Sequence, residues 1–251
     1  MRGKMPGMIY FLGAGCGDPD YLPVKALRVL KEARLVVYAG SLLTQGFRRV
    51  LSPQARLLDS HGKQLEEIID AMVRSAERGE TVARLHSGDT AFFSALNEEI
   101  ALLKARGIPF EVLPGVSSAS LGAARMGIEL TIPEKVQTVV FTRLGGHTPG
   151  PSPEDLAYFA RPDVTLVLFL SVSRAETIQK TLLTRLPPET PVAVAEKLGF
   201  PEERILYGTL KDLSRLIREA GIRRTALIYV GEAVGCARKP QETRSRLYSE
   251  S

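Results

Sequence analysis

Short apolar runs alternate with stretches of helical periodicity from the first residues of this chain, and that alternation restricts the fold more firmly than any single motif does. MIYFLGA, from Met8 to Ala14, reads as a strand, and LPVKALRVLKEA as a helix with Leu22, Ala26, Val29 and Leu30 on one face. RLVVYAG is a second strand. A strand, a helix and a strand in that order imply parallel pairing through a right-handed crossover. The pattern continues through ARLLDS, the helical LEEIIDAMVRSAERG with its stop at Gly79, the strand TVARLHSGD, the helix ALNEEIALLKARG and the strand FEVLPG. The first half is therefore expected to be a five-stranded α/β unit.

Beyond residue 120 the pattern changes. KVQTVVFTRL and DVTLVLFLSV are β-branched strands separated by GGHTPGPSPEDLAYFARP, whose glycine and proline density marks a loop before a short helix. RAETIQKTLLTRL is a helix, TPVAVAEKLG and RILYGTL are strands, and KDLSRLIREAG is a helix for which Thr209 is the expected N-cap. RTALIYVGEAV closes the unit as a buried strand. Two α/β domains are expected, at residues 8–116 and 117–235, with flexible tails at 1–7 and 236–251.

Composition narrows the function classes. With 251 residues, 44% of them hydrophobic, the chain can bury a substantial core. No apolar run approaches the roughly 20 residues that span a bilayer, and the amino end MRGKMPG lacks the features of a secretory signal, so a cytoplasmic protein away from membranes is expected. Cys16 and Cys236 stand near opposite ends, and His61, His86 and His147 show no ligand spacing, which argues against a disulfide framework or a metal site. The formal net charge of +5 lies mostly in the two tails, leaving the folded part nearly neutral. A continuous phosphate-tracking surface for nucleic acid is not expected.

Three alternating glycines, Gly13, Gly15 and Gly17, follow the first strand. A dinucleotide fingerprint needs G-x-G-x-x-G, but the third position of that spacing is Asp18, and YAGSLL after the second strand carries no carboxylate for a ribose. No Gly-Lys-Ser/Thr follows, so the Walker spacing fails too. The glycines either make a tight turn alone or shape a different ligand site. In an open α/β sheet, ligands bind outside the carboxyl ends of the strands. Three further strands end there in small or polar residues: RLHSGDTAFF, LPGVSSAS and LFLSVS.

Taken in order, FLGAGCGDPDYL, RLHSGDTAFF, VLPGVSSASLGAA, TLVLFLS and TALIYVGEA resemble the tetrapyrrole (class III) S-adenosyl-L-methionine-dependent methyltransferases of corrin and sirohaem synthesis. The resemblance covers Met8 to Val234. Within that family YAGSLL, ELTIPEKVQTVVFTR and GHTP are similar to the members that methylate C11 of precorrin-4 or its cobalt form. The resemblance implies a homodimer of chains with two α/β domains and a cofactor cleft between them, S-adenosyl-L-methionine as cofactor and a tetrapyrrole as substrate.

By the same resemblance the cofactor positions are Cys16, which stands where relatives often have proline, Ser87, Gly88, Asp89, Phe92, Ser117, Ser118, Leu170, Leu198 and Ala226. Asp89 would either accept hydrogen bonds from the cofactor or brace its own loop. Expected substrate contacts are Arg143 and Arg84, for a substrate rich in carboxylates, with Tyr38, His61, His86 and Thr131 as polar neighbours. The uroporphyrinogen methyltransferases carry an aspartate where this chain has Ala39, so no acid-base residue carries over. Two other classes remain open on sequence: a sister activity, at another corrin carbon or in diphthine formation, and a non-catalytic nucleotide-binding or assembly protein.

Overall fold

The computed structural model describes residues 6–40, 44–145 and 149–239. The chain divides into two compact units between Ser118 and Ala119. Among the described residues no helix is long and apolar enough to cross a membrane.

The first unit holds β1 (Ile9–Gly13), α1 (Val24–Glu32), β2 (Leu35–Tyr38), α2 (Gln45–Val50), β3 (Arg56–Asp59), α3 (Leu65–Glu77), β4 (Val82–His86), α4 (Leu96–Ala105) and β5 (Phe110–Leu113). The strands form one sheet in the order β3-β2-β4-β1-β5, and every pairing is parallel. Residues of α1 and α2, Ala26, Val29, Leu30 and Phe47, pack with Ala83 and Leu85 on one face of β4. Those of α3 and α4, Ile68, Ile69, Met72 and Leu103, pack with Val82 on the other. Helix α3 forms where the apolar stripe demands it: Gln64 and Glu67 make a capping box, and Gly79, at φ 76°, ends it in the left-handed conformation.

The strand order creates a switch point. From β1 the chain moves outward over the α1 face, whereas from β4 it moves the opposite way over the α4 face. Since β1 and β4 are neighbours, their carboxyl ends feed loops that diverge to opposite sides of the sheet. It is at such switch points that open α/β sheets bind their ligands.

The second unit contains α5 (Ser118–Met126), β6 (Thr138–Thr142), α6 (Pro153–Phe159), β7 (Val164–Leu168), α7 (Ala175–Leu182), β8 (Pro191–Glu196), β9 (Arg204–Thr209), α8 (Leu213–Glu219), β10 (Ala226–Val230) and α9 (Glu232–Gly235). Its sheet is mixed, in the order β6-β7-β10-β8-β9: β6 and β7 are parallel, and the other neighbours antiparallel. Helix α5 seats on β10 through Gly122, where a Cβ would lie 2.1 Å from the Tyr229 hydroxyl, which donates to the Ala119 carbonyl at 3.1 Å.

Three local features differ from the sequence reading. Helix α2 was not expected; Thr44 caps it by accepting from Phe47 N–H at 3.3 Å. Thr209 does not cap α8. A 3-10 turn over Leu210–Asp212 intervenes, and the Thr209 hydroxyl bonds the Asp212 carboxylate at 2.8 Å instead. Glu232–Val234, read as the end of the last strand, belong to α9 after Gly231, whose φ of 133° a β-carbon would not tolerate.

Candidate functional site

The switch point of the first sheet is closed by backbone. A Cβ on Gly13 would lie 2.4 Å from the Gly115 nitrogen and 2.9 Å from the Gly88 carbonyl oxygen, and one on Gly115 would lie 2.3 Å from that same oxygen. Gly15 N–H donates to Gly88 at 3.1 Å and Gly88 N–H returns the bond to Gly15 at 2.7 Å. Ala14 N–H donates to the His86 carbonyl at 2.8 Å, and the buried Cys16 thiol to the Val116 carbonyl at 3.6 Å. The loops after β1, β4 and β5 are thus one clasp. Gly13 and Gly115 are glycine because the loops touch there.

The β4 loop carries the groups exposed at this edge. Ser87 is exposed, and Asp89 accepts from Ala91 N–H at 2.8 Å through one carboxylate oxygen, the bracing arrangement. Beyond it the backbone is strained: Phe93 and Ala95 hold φ of 54° and 56°. Phe92 and Phe93 are both partly exposed. Ser117 is buried, and Ser118 opens α5.

Beneath this loop lies a buried polar cluster. Arg84 and His86 alternate with Ala83 and Leu85, so they project toward the α3 and α4 face. The Arg84 guanidinium donates to both Glu99 oxygens, Nε at 3.1 Å to each and Nη2 at 2.9 Å to Oε1. Its Nη1 donates to Ser60 Oγ at 3.1 Å, and that hydroxyl donates to the Tyr38 carbonyl at 3.0 Å. His86, 5% exposed, stands 5.9 Å from the Phe11 ring. Its Nε2 has no hydrogen-bond partner and lies 3.9 Å from Glu99 Oε2. Burial, and then the neighbouring Arg84 cation, push the imidazole down to about 4, so it is neutral at physiological pH.

One edge of the second sheet gathers the other candidates. The carboxyl ends of β6, β7 and β8 and the amino end of β10 lie together there, because β10 runs antiparallel to both its neighbours. Leu170 is 71% exposed with φ of 52°, and Lys197 and Thr225 also hold positive φ. Lys197 N–H bonds the Thr225 carbonyl at 2.8 Å, Phe169 N–H the Thr142 carbonyl at 2.8 Å, and Leu144 N–H the Ser171 hydroxyl at 2.8 Å. Among the described residues, five of the six non-glycine positive-φ positions fall at these two strand edges. Such backbone persists only where the surrounding structure holds it in place.

Comparison with known proteins identifies the family. The family model for tetrapyrrole (corrin/porphyrin) methylases matches residues 8–214. The chain belongs to that family. Cobalt-precorrin-4 C(11)-methyltransferase of Methanocaldococcus jannaschii is 40% identical over 90% of this chain and 88% of the relative. Precorrin-4 C(11)-methyltransferase of Pseudomonas aeruginosa is 38% identical over 90% of each. The X-ray structure of a cobalt-precorrin-4 methyltransferase, a cobalamin biosynthetic enzyme, superposes with TM-score 0.87 at 39% identity, over 90% of this chain and 95% of that one. Uroporphyrin-III C-methyltransferase of Thermus thermophilus, complexed with S-adenosylhomocysteine, superposes at 0.76 with 34% identity, over 91% and 99%.

The methylase fold places the expected residues in distinct settings. Cys16, Ser87, Gly88, Asp89, Ser117 and Ser118 lie in or beside the clasp, with Phe92 on the strained segment. Leu170 and Ala226 lie at the edge of the second sheet, and Leu198 is buried beside Gly122. Tyr38 is the last residue of β2 and His61 follows the neighbouring β3, exposed, with its N–H on Asp59 at 2.9 Å. Thr131 bonds Glu129 at 3.5 Å, and the Arg143 guanidinium donates to the Pro149 carbonyl. Arg84 and His86 face inward, with all three Arg84 guanidinium nitrogens engaged inside the domain. Of the motifs quoted for the C11 members, Ser41, Leu42 and Leu43 and Gly146, His147 and Thr148 lie outside the described residues, as does most of the expected carboxyl tail. Residues 236–239 are in turns bonded to α9.

Glu99 and Ser60 were missed on sequence. The signal existed: Leu96, Glu99, Ile100 and Leu103 share one helical face, so a carboxylate sits in an apolar stripe, and Arg84 interrupts a buried strand. Each anomaly predicts the other.

Proposed function

We propose that this methylase transfers a methyl group from S-adenosyl-L-methionine to C11 of precorrin-4 or cobalt-precorrin-4. The observation that carries the reading is the extent of the likeness to relatives named for that activity, with both chains covered almost end to end. The geometry of the clasp supports the cofactor. The clasp holds the exposed Ser87 hydroxyl beside it, and Leu170, apolar and outward on a strained backbone, offers a surface on which an adenosine packs.

When bound, the cofactor supplies an electrophilic sulfonium methyl group for an electron-rich carbon of the macrocycle. The protein then has little covalent chemistry to perform: its loops align the two reactants and keep water away. Gly115 comes against Gly13 and the Gly88 carbonyl because it carries no side chain, Gly88 holds a left-handed φ of 68°, and Asp89 braces the turn that leads to Phe92. Arg143, a cation at the carboxyl end of β6, is the residue we propose for a substrate carboxylate. We further propose a homodimer that works in the cytoplasm, which light scattering and cell fractionation test.

The reading is tested by incubating the purified protein with each macrocycle and S-adenosyl-L-methionine and weighing the product. A gain of one methyl group on either is expected. No gain on either, in folded protein that binds S-adenosylhomocysteine, would overturn the substrate assignment, and uroporphyrinogen III tested in parallel would reveal a sister activity.

A further inference from the structure

The cluster below the β4 loop has no part in the chemistry just described, yet it is built with care. Glu99 has a side chain only 3% exposed and an ion-pair partner nearly as buried. Such a pair is seldom retained for stability alone, since desolvation offsets much of its attraction. What it does hold is position. Glu99 reaches from α4 to β4, takes Arg84 in three hydrogen bonds, and stands beside His86, the last residue before Ser87 and Gly88. Through Ser60, the same guanidinium ties in the ends of β2 and β3. The His86 carbonyl in turn accepts from Ala14 of the glycine turn. One carboxylate therefore links the helix behind the sheet to both halves of the clasp in front of it.

We propose that Glu99 is a positioning residue for the Ser87–Asp89 loop, acting through Arg84 and His86 to hold that loop in its binding conformation. The inference rests on the cofactor reading above. Its expected signature is a change in ligand affinity separable from a change in stability. Glu99→Gln keeps the shape and one acceptor oxygen but removes the charge that orients Arg84. Hydrogen bonds to charged groups are worth enough that S-adenosylhomocysteine should bind about tenfold more weakly or worse. Glu80→Gln is the control. Glu80 receives Arg56, Arg78 and Ser75 near the amino end of β4, away from the clasp, so its loss should lower the melting temperature and leave the affinity unchanged.

The experiment measures S-adenosylhomocysteine binding by calorimetry for the full-length wild type and both variants, with melting temperatures. In the wild type, 15N-labelled imidazole signals of His86 are followed through the titration. Weakened binding in Glu99→Gln alone, with His86 signals that move on saturation, is the expected result. Wild-type affinity in a folded Glu99→Gln protein overturns the inference and leaves the cofactor reading intact. Absence of binding by the wild type overturns both. Should Glu99→Gln fail to fold, Ser60→Ala replaces it, since it removes one neutral hydroxyl from the same guanidinium: a severalfold weaker affinity supports the inference and an unchanged one overturns it.

Discussion

At the scale of single residues, glycine and histidine carry the clearest consequences. Gly13→Ala places a Cβ 2.4 Å from the Gly115 nitrogen, where only backbone could give way, and a loss of about 1–3 kcal/mol is expected from urea unfolding. Gly62→Ala meets no atom within 4 Å, so its left-handed φ of 73° alone should cost about 1 kcal/mol. His86 gives a pH dependence. Its folded-state value, about 4, lies below the ordinary histidine value near 6.5, so the unfolded chain takes up the proton first. The native state therefore keeps this contribution above about pH 6.5 and loses it progressively as pH falls to about 4, by on the order of 3 kcal/mol. Comparing unfolding free energies at pH 7.5 and 4.5 for wild type and His86→Gln should show a smaller drop in the variant. An equal drop would mean that His86 is not held neutral. Gly13 was visible in the sequence, its reason was not: contact between loops a hundred residues apart leaves no local pattern.

At the scale of elements, the strands and long helices were legible because burial imposes a period of two or of 3.6 on the chain, and Gly79 punctuated α3 where expected. Short pieces were not. Helix α2 has six residues and buries only Phe47, too little to imprint a period, and α9 has only four. On the proposed function, the β4 loop is the element that meets the cofactor. Asp89 braces it through one oxygen, which separates two variants: Asp89→Asn retains an acceptor for Ala91 N–H and should bind S-adenosylhomocysteine much as wild type, whereas Asp89→Ala should weaken it about tenfold. Equal weakening by both would assign the carboxylate charge to the ligand instead. In the second unit, Gly122→Val would drive the Tyr229 hydroxyl off Ala119 and lift α5 from β10, and a lower melting temperature is the expected readout.

For the whole molecule, five parallel strands with a switch point between β1 and β4 bring the glycine turn, the Ser87–Asp89 loop and the Pro-Gly turn to one edge, and the mixed sheet brings Arg143, Leu170, Leu198 and Ala226 to an edge of its own. Motif order alone pointed to those loops, since ligand sites of α/β sheets follow strand ends. The inward turn of Arg84 was legible only as two separate anomalies, a cation in a buried strand and Glu99 in the apolar stripe of α4, which tertiary packing joins. The central claim is a carbon, a donor and a macrocycle, and one product measurement tests all three. Protein incubated with cobalt-precorrin-4, or with precorrin-4, and S-adenosyl-L-methionine carrying a 13C methyl group should give a product whose 13C spectrum shows one new methyl carbon attached at C11. A label at a different carbon, or none in protein that binds S-adenosylhomocysteine, would contradict it.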